Sequence, residues 1–148
     1  PFRVFMHVME KEQQLQALNH IYENLNPGGQ FIFDSFVPDL NQLLNGIEDY
    51  KDFDEEYQPG RRLKRYVTTQ PDLINQNIQV TFRLKWDEDD GFQIRKWDVP
   101  LRFFFRYELE HLIERSSFGS HYKILGDYEG NELNANSKEF IMVCKKPK

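Results

Sequence analysis

The chain is short of cysteine, of long apolar runs and of positive charge. Its single cysteine, Cys144, excludes an internal disulfide and stands in an apolar stretch, which predicts a buried structural thiol in a reducing, cytoplasmic setting. No segment approaches the roughly 18 consecutive apolar residues of a membrane-spanning helix, so we expect no membrane partner. The formal net charge is -5, and only residues 61–65 concentrate basic side chains. Proteins that hold nucleic acid usually carry a broad basic surface, so we expect no nucleic-acid partner.

Glycine-rich loops and metal-ligand patterns are also missing. None of the eight glycines stands two residues from another, as the G-x-G of a nucleotide-binding loop requires. The acidic run 49–56 lacks the glycine-punctuated spacing of a calcium loop. His20, His111 and His121 have no Cys or His partner at the spacing of a zinc site. We therefore expect no metal.

Aromatic residues, in contrast, make up 15% of the chain, which suits a packed core or a ligand pocket. Near the start, apolar residues recur every three or four positions and predict a one-faced helix over 10–25. The sequence Asn26–Gly29 ends it, because proline cannot continue a helix and glycine accepts left-handed geometry. The nearly continuous apolar run 30–36 then predicts a strand that is covered on both faces.

The middle of the chain has a different pattern. A short helix is predicted over 38–46, and the acidic, aromatic stretch 49–60 reads as a loop. Residues 78–86 alternate strictly between apolar and polar, which predicts a strand with one wet face. A turn follows, and 92–99 is its hairpin partner, with 61–69 as a further strand of the same antiparallel sheet.

The end of the chain returns to the first pattern. A helix is predicted over 107–117, with its buried side formed by leucine and isoleucine. Two strands follow, at 121–128 and 139–146. We expect them to form an antiparallel pair beside the strand 30–36, which itself has the potential to pair in parallel.

Three local motifs carry a resemblance to a known family. Leu25-Asn26-Pro27-Gly28-Gly29 before the run Phe31–Asp34 is similar to an "L-x-P-G-G" link into a fifth strand. The segment Phe2–Val8 resembles the exit of a fourth strand. Glu108–Phe118 resembles the helix "E-L-x-x-L-L-x-x-A-G-F", with serines in place of Ala-Gly. In this order they resemble the C-terminal half of class I S-adenosylmethionine-dependent methyltransferases.

The resemblance implies an α/β fold: the last strands of a partial Rossmann-like sheet, with an inserted antiparallel β-sheet. Residues 1–37 and 102–148 would form the Rossmann-like part, and 38–101 an insertion that covers substrate. The cofactor would be S-adenosylmethionine, and the methyl acceptor a small molecule. The family binds the cofactor with a glycine-rich loop and an acidic residue, and neither motif is present here. We therefore expect the chain to begin inside a longer product and to be inactive alone.

The resemblance also implies where the site lies, because ligands of open α/β sheets bind beyond the carboxyl ends of the strands. His7 and Asp34 are the candidate catalytic residues, since a histidine or a carboxylate can orient the acceptor or take its proton. The alternatives are that His7 caps the following helix and that Asp34 bonds to backbone at the strand end.

Four further residues complete the candidate set. Arg3, Phe36 and Tyr107 are candidates for substrate binding, and Phe2 for a cofactor contact. For Arg3 the alternative is a solvated surface side chain, and for Tyr107 it is packing on the sheet.

Two non-enzymatic functions also fit parts of the sequence. The aromatic antiparallel sheet can form a β-rich ligand-binding module, or a sheet that pairs between chains as an oligomerisation module. The binding module accounts well for 61–105 and poorly for 10–36. Exposed sheet edges recruit other chains, so we also expect a homo-oligomer.

Overall fold

A computed structural model describes residues 3–148, which form two compact units. One unit comprises the residues up to Pro38 together with Arg102–Lys148, and the other is Asp39–Leu101. After a 3-10 helix at Val4–His7, the elements follow in chain order: α1 Lys11–Asn24, β1 Gln30–Phe36, α2 Leu40–Asn45, β2 Ile47–Gln58, β3 Arg61–Asp72, β4 Asn77–Glu88, β5 Gly91–Arg102, α3 Arg106–Arg115, β6 Tyr122–Leu125 and β7 Glu139–Lys145. None of the helices within residues 3–148 is long and apolar enough to cross a membrane.

The first unit contains a three-stranded sheet with the order β1-β7-β6. Both pairings are antiparallel, with Phe33 opposite Met142 and Ile124 opposite the same residue on the other side. The predicted antiparallel pair of the last two strands is therefore confirmed, although β6 ends at Leu125. The described part of the chain gives β1 only this one neighbour, so its expected parallel pairing remains a prediction.

One face of this sheet is covered by aromatic side chains. The rings of Phe5 and Phe33 have centroids 4.6 Å apart, and Phe31 stacks on Phe118 at 6.5 Å. Tyr22 of α1 meets Phe118 edge-on at 5.1 Å, which joins the helix to this core. The other face is less protected than predicted, because Ile32 is 58% exposed. The apolar run predicted burial along the whole strand, but only the second half of β1 is buried.

The end of α1 shows why the Pro-Gly-Gly sequence stands there. Gly28 adopts φ 80°, a left-handed conformation that favours glycine, and its N–H donates to the Lys146 carbonyl at 3.0 Å. The Lys146 ammonium in turn donates to the carbonyls of Tyr22 and Leu25, both at 2.9 Å. Both carbonyls lie at the C-terminal end of the helix, where the following helical N–H donors are missing. The Tyr22 carbonyl accepts one longer backbone bond, from the Leu25 N–H at 3.3 Å. The helix end is thereby fixed to the end of β7.

The serines at the end of α3 replace the Ala-Gly of the motif without disturbing the helix. Ser116 Oγ donates to the Ile113 carbonyl at 2.6 Å. Ser117 donates through both N and Oγ to Asn19 Oδ1, at 2.8 and 3.1 Å. The two serines therefore end α3 and attach it to α1.

The second unit is an antiparallel sheet with the order β2-β3-β4-β5. The prediction of a loop over 49–60 is wrong, because β2 pairs with β3 along Ile47–Gln58. Its carboxylates face basic side chains of the neighbouring strands: Asp52 accepts from Arg65 at 2.7 Å and Asp54 from Arg62 at 2.7 Å. These cross-strand ion pairs favour the strand although its sequence does not alternate.

Candidate functional site

A polar cluster lies at the carboxyl end of β1. Asp34 is only 8% exposed, and both of its carboxylate oxygens accept hydrogen bonds. Oδ1 accepts from the backbone N–H of Arg3 at 3.1 Å, and Oδ2 from the hydroxyl of Tyr128 at 2.7 Å. Three distant parts of the chain thus meet at one carboxylate.

Arg3 makes a second connection to the sheet. Its guanidinium donates from Nη2 to Oε1 of Glu139 at 2.6 Å and lies over the ring of Phe36, 5.5 Å from the centroid. Glu139 stands opposite Phe36 in the register of β1 and β7. The backbone of Arg3 has φ 52°, a left-handed conformation that is uncommon for this residue type. We call Arg3, Asp34, Phe36, Tyr128 and Glu139 the Asp34 cluster.

The electrostatics of the Asp34 cluster are dominated by its carboxylates. Counted as two carboxylates, Asp34 and Glu139, and one guanidinium, Arg3, the cluster has a formal charge of about -1. Partial burial of the phenol and its hydrogen bond to Asp34 raise the pKa of Tyr128 to about 12. Tyr128 therefore stays a hydrogen-bond donor throughout the neutral range. The arrangement suits a ligand group that is positively charged or donates hydrogen bonds.

The structure brings three of the predicted site residues together and leaves two apart. Arg3, Asp34 and Phe36 lie in the Asp34 cluster. His7 ends the 3-10 helix and is exposed, and its side chain makes no hydrogen bond within residues 3–148. Tyr107 is 66% exposed on α3, where the Arg106 guanidinium lies over its ring at 5.4 Å.

Two of the alternatives raised by the sequence are wrong. His7 does not cap α1, because Glu10 occupies the N-cap position and no side-chain cap hydrogen bond is present there. Tyr107 does not pack on the sheet, since most of its side chain is exposed. Phe2 lies outside the described residues, so its cofactor contact remains a prediction.

Sequence reasoning missed two members of the Asp34 cluster, Tyr128 and Glu139. Tyr128 follows β6 in a loop, 94 residues from Asp34, and its sequence context predicts only a turn. Glu139 begins β7, where a charged residue is normally read as the solvated end of a strand. Neither position carries a local signal of a site.

The described residues do not fit the main binding site of S-adenosylmethionine. That site needs a backbone that can approach the ligand closely between a strand and a helix. Among the described residues two strands lead directly into helices, β1 into α2 and β5 into α3. Neither connection, Val37-Pro38-Asp39 or Phe103-Phe104-Phe105, contains a glycine. Asp39 uses its carboxylate to cap α2, accepting from the backbone N–H groups of Asn41 and Gln42 at 2.9 and 3.1 Å.

Concave surfaces lined by polar groups occur in both units. A cavity of about 530 Å³ lies along α3 and β6, where Tyr122 donates to Glu114 at 3.0 Å and Arg106 pairs with Glu110 at 2.7 Å. A cavity of about 230 Å³ lies on the sheet of the second unit, lined by Asp49, Tyr66, Thr68, Gln70, Thr81, Arg83 and Lys96. Among residues 3–148 there is no group of three or more His, Cys, Asp or Glu side chains that could hold a metal ion.

Neither a protein-family model nor a curated protein sequence matches the chain. Solved structures do match. An S-adenosylmethionine-dependent methyltransferase from Clostridium acetobutylicum is similar over 99% of this chain and 56% of its own, with a TM-score of 0.74 and 13% identity. An amino pentose methyltransferase of calicheamicin biosynthesis from Micromonospora echinaspora, with S-adenosylmethionine bound, matches over 97% of this chain and 56% of its own. Its TM-score is 0.67 at 14% identity.

A sugar N-methyltransferase from a Streptoalloteichus species is also similar, over 97% of this chain and 53% of its own, with a TM-score of 0.66 and 10% identity. The chain thus spans little more than half the length of these structures. At such identities the likeness shows the fold alone. The predicted fold class is confirmed: a mixed α/β fold with antiparallel sheets, shared with S-adenosylmethionine-dependent methyltransferases.

Proposed function

We propose that the chain is the C-terminal, acceptor-binding part of an S-adenosylmethionine-dependent methyltransferase that acts on a small molecule. The observation that carries this proposal is the match of 99% of the chain to such an enzyme at a TM-score of 0.74. The Asp34 cluster supports it, because it lies at the carboxyl end of a core strand, where α/β folds bind ligands.

The acceptor that the Asp34 cluster supports best is an amine. A formal charge of about -1, with a buried carboxylate at its centre, attracts an ammonium group. A protonated amine must lose a proton before its nitrogen can be methylated, so the site also needs a base. The names of two structural neighbours, an amino pentose methyltransferase and a sugar N-methyltransferase, agree with this class of acceptor.

His7 is the residue that we propose as this base. Both carboxylate oxygens of Asp34 already accept hydrogen bonds, which fix this side chain in position and suit it to orienting the acceptor. His7 is exposed on the 3-10 helix that begins beside Arg3, and an ordinary histidine titrates near neutrality. Asp34 and Arg3 would then orient the acceptor, with Phe36 and Tyr107 contacting its apolar part.

The methyl donor would be held mainly by residues that precede this chain in a longer protein. This part of the proposal rests on the absence of a glycine-rich loop and on coverage of little more than half of the neighbours. Residues 38–101 would form the insertion that covers substrate. The proposal that the protein is cytoplasmic rests on its one cysteine, Cys144, which is buried and unpaired.

Calorimetry with S-adenosylmethionine tests the division of the site. We expect no saturable heat for the 148-residue chain, and both binding and methyl transfer to an amine for the upstream-extended protein. Micromolar binding by the short chain would contradict the placement of the donor site. No turnover by the extended protein with a panel of amines, alcohols and carbon acids would contradict the enzymatic proposal.

A substitution at His7 tests the proposed base. In the extended protein, His7→Ala should lower kcat by about 10²–10⁴-fold and leave the Kd for S-adenosylmethionine nearly unchanged, because a base acts on the acceptor in the transition state. His111→Ala is the matched control, since His111 lies on α3 with its side chain 75% exposed. Unchanged turnover in His7→Ala would remove His7 from the mechanism.

A ligand-binding module remains the second candidate. It is favoured by the cavity of about 230 Å³ on the second unit, where Arg83 pairs with Asp49 at 2.6 Å and Lys96 adds a positive charge.

The predicted self-association is separate from either function. Light scattering at several concentrations tests it, and a mass that stays at 17.9 kDa would contradict it.

A further inference from the structure

Tyr128 combines an exposed side chain with a hydroxyl that is held by a buried group. The residue is 64% exposed, yet its hydroxyl is fixed on the buried carboxylate of Asp34 at 2.7 Å. An exposed side chain that is held in one position loses conformational entropy without the compensation of burial. A tyrosine with a purely structural role would normally bury its ring and leave its hydroxyl at the surface.

The loop that carries Tyr128 is built to hold it in place. The Asp127 carboxylate accepts from the backbone N–H groups of Glu129 and Asn131, both at 3.0 Å, and from the Asn131 amide at 2.8 Å. These hydrogen bonds lower the pKa of Asp127, and the bond from the Asn131 side chain has the largest effect. Gly126 closes the loop by donating its N–H to the Asn131 carbonyl at 2.8 Å.

The base of the loop leaves no room for another residue type at Gly126. A Cβ added there would lie 2.9 Å from the Glu132 carbonyl oxygen, and closer still to Ser137 Oγ. Contacts this short with backbone would force the loop to shift. The loop is therefore packed at its base and cross-linked by hydrogen bonds at its tip, and it presents Tyr128 in a fixed position.

We infer that Tyr128 is a positioning residue of the acceptor site, holding the Asp34 carboxylate with its hydroxyl and offering its exposed ring as a wall for the bound acceptor. This inference rests on the proposed function. The ring and the carboxylate together suit an ammonium group, because cations are attracted both to aromatic faces and to negative charge. The raised pKa of Tyr128 keeps its hydroxyl protonated and donating.

Two substitutions separate the roles of the hydroxyl and the ring. In the extended protein, Tyr128→Phe should lower kcat by about 10–100-fold with little change in the acceptor KM, because one hydrogen bond to a charged group is lost. Tyr128→Leu should also raise the acceptor KM by about 5–10-fold, because the aromatic contact with the cation is lost as well. Neither variant should change the Kd for S-adenosylmethionine. Tyr122→Phe is the matched control, since the Tyr122 hydroxyl also donates to a carboxylate, that of Glu114 at 3.0 Å, but lies outside the proposed acceptor site.

A measurement on the 148-residue chain tests the contact without turnover. Tyrosine labelled with ¹³C at Cζ gives one resonance for each tyrosine, and the resonance of Tyr128 is the one that is missing in Tyr128→Phe. At pH 11 this resonance should still be that of a protonated phenol, because the pKa of Tyr128 is about 12 instead of the ordinary 10.0. In Asp34→Asn the same resonance should move toward that of the ionised form at this pH. Circular dichroism would show that each variant is folded.

The outcomes distinguish this inference from the proposed function. If the wild-type extended protein turns over and both Tyr128 variants have the same kcat and KM as the wild type, the inference is overturned and the proposed function is not. A Tyr128 resonance that titrates as an ordinary tyrosine and ignores Asp34→Asn would overturn it as well. Absence of turnover in the wild-type extended protein would overturn the proposed function, and the inference with it.

Discussion

The two units of the chain are stabilised by different kinds of contact. Most of the buried hydrophobic side chains belong to the unit that contains β1, β6 and β7, and several of them, Phe103, Phe104 and Phe118 among them, are at most 1% exposed. In the unit Asp39–Leu101, the described residues bury only Leu43, Ile78 and Val80 to below 10% exposure. The first unit depends on burial of apolar surface, which is the dominant favourable term in folding.

The second unit depends more on charge. Its strands are connected by ion pairs from Arg65 to Asp52 and from Arg83 to Asp49, and Arg83 also lies over the ring of Tyr66 at 4.1 Å. Such exposed pairs are screened by salt, whereas apolar burial is not. Two sheets of one short chain should therefore respond differently to the same change of solvent.

The protein contains natural probes for each unit. Both tryptophans, Trp86 and Trp97, lie in the second unit, and the single cysteine, Cys144, lies in the first. Burial raises the pKa of the Cys144 thiol to about 12 and leaves it 0% exposed, so it should react with alkylating reagents only when its unit opens. Tryptophan fluorescence and thiol labelling thus follow the two units separately.

The largest difference is expected from removing an aromatic ring from the core of the first unit. Phe118→Ala should lower the free energy of unfolding of that unit by about 3–5 kcal/mol, because a fully buried ring is replaced by a cavity. The rate of Cys144 labelling should rise by about 10²–10³-fold in consequence.

Phe92→Ala in the second unit is the matched control. Phe92 is 55% exposed and contacts the Lys85 ammonium at 3.7 Å from the ring centroid. Its loss should cost about 0.5–1 kcal/mol, the range of an exposed cation–π contact. Equal costs for the two substitutions would contradict the contrast between the units.

Salt should produce an intermediate effect. Raising NaCl from 0.1 to 1 M shortens the screening length from about 10 to about 3 Å. We expect the midpoint of the thermal transition seen by tryptophan fluorescence to fall by about 2–5 °C, while the temperature at which Cys144 becomes reactive does not fall. A rise of the tryptophan midpoint would show that the ion pairs contribute nothing.

Acid should produce the smallest effect. Hydrogen bonds from Lys51 and Arg62 lower the pKa of Asp54 from 3.8 to about 2. A carboxyl group whose pKa is lower in the folded state stabilises the fold above its unfolded pKa. This contribution is lost as the pH falls through about 2.

Asp54→Asn should therefore reduce the change in tryptophan midpoint between pH 4 and pH 2. Asp90→Asn provides the control, because Asp90 makes no ion pair within residues 3–148. A pH dependence that is identical in wild type and Asp54→Asn would show that the pair does not stabilise the sheet.

The sequence predicts the helices and strands that are specified by a local motif or by a periodic pattern of apolar residues. The helix α1 follows from its apolar spacing and from the Pro-Gly-Gly that ends it, and β4 follows from strict alternation. The strand β2 could not be predicted in this way, because its stability comes from basic residues on β3 and β4 that only the folded sheet places opposite its carboxylates.

The same limit applies to the candidate site. Arg3, Asp34 and Phe36 could be selected because they stand next to a predicted strand end. Tyr128 joins them through a single hydrogen bond across 94 residues, and the loop that positions it is defined by contacts of Asp127 and Gly126. A contact of this kind depends on tertiary structure and leaves no pattern in the sequence around it.

The irregular pairing of β2 has a consequence for aggregation. This strand lies at the edge of its sheet, and its register with β3 shifts at three places along its length. A strand from another molecule that approached this edge would meet an interrupted row of backbone donors and acceptors, flanked by acidic side chains. This edge of the sheet is therefore protected against the addition of further strands, which is the first step toward fibrils. The predicted self-association is therefore expected at a surface other than this edge.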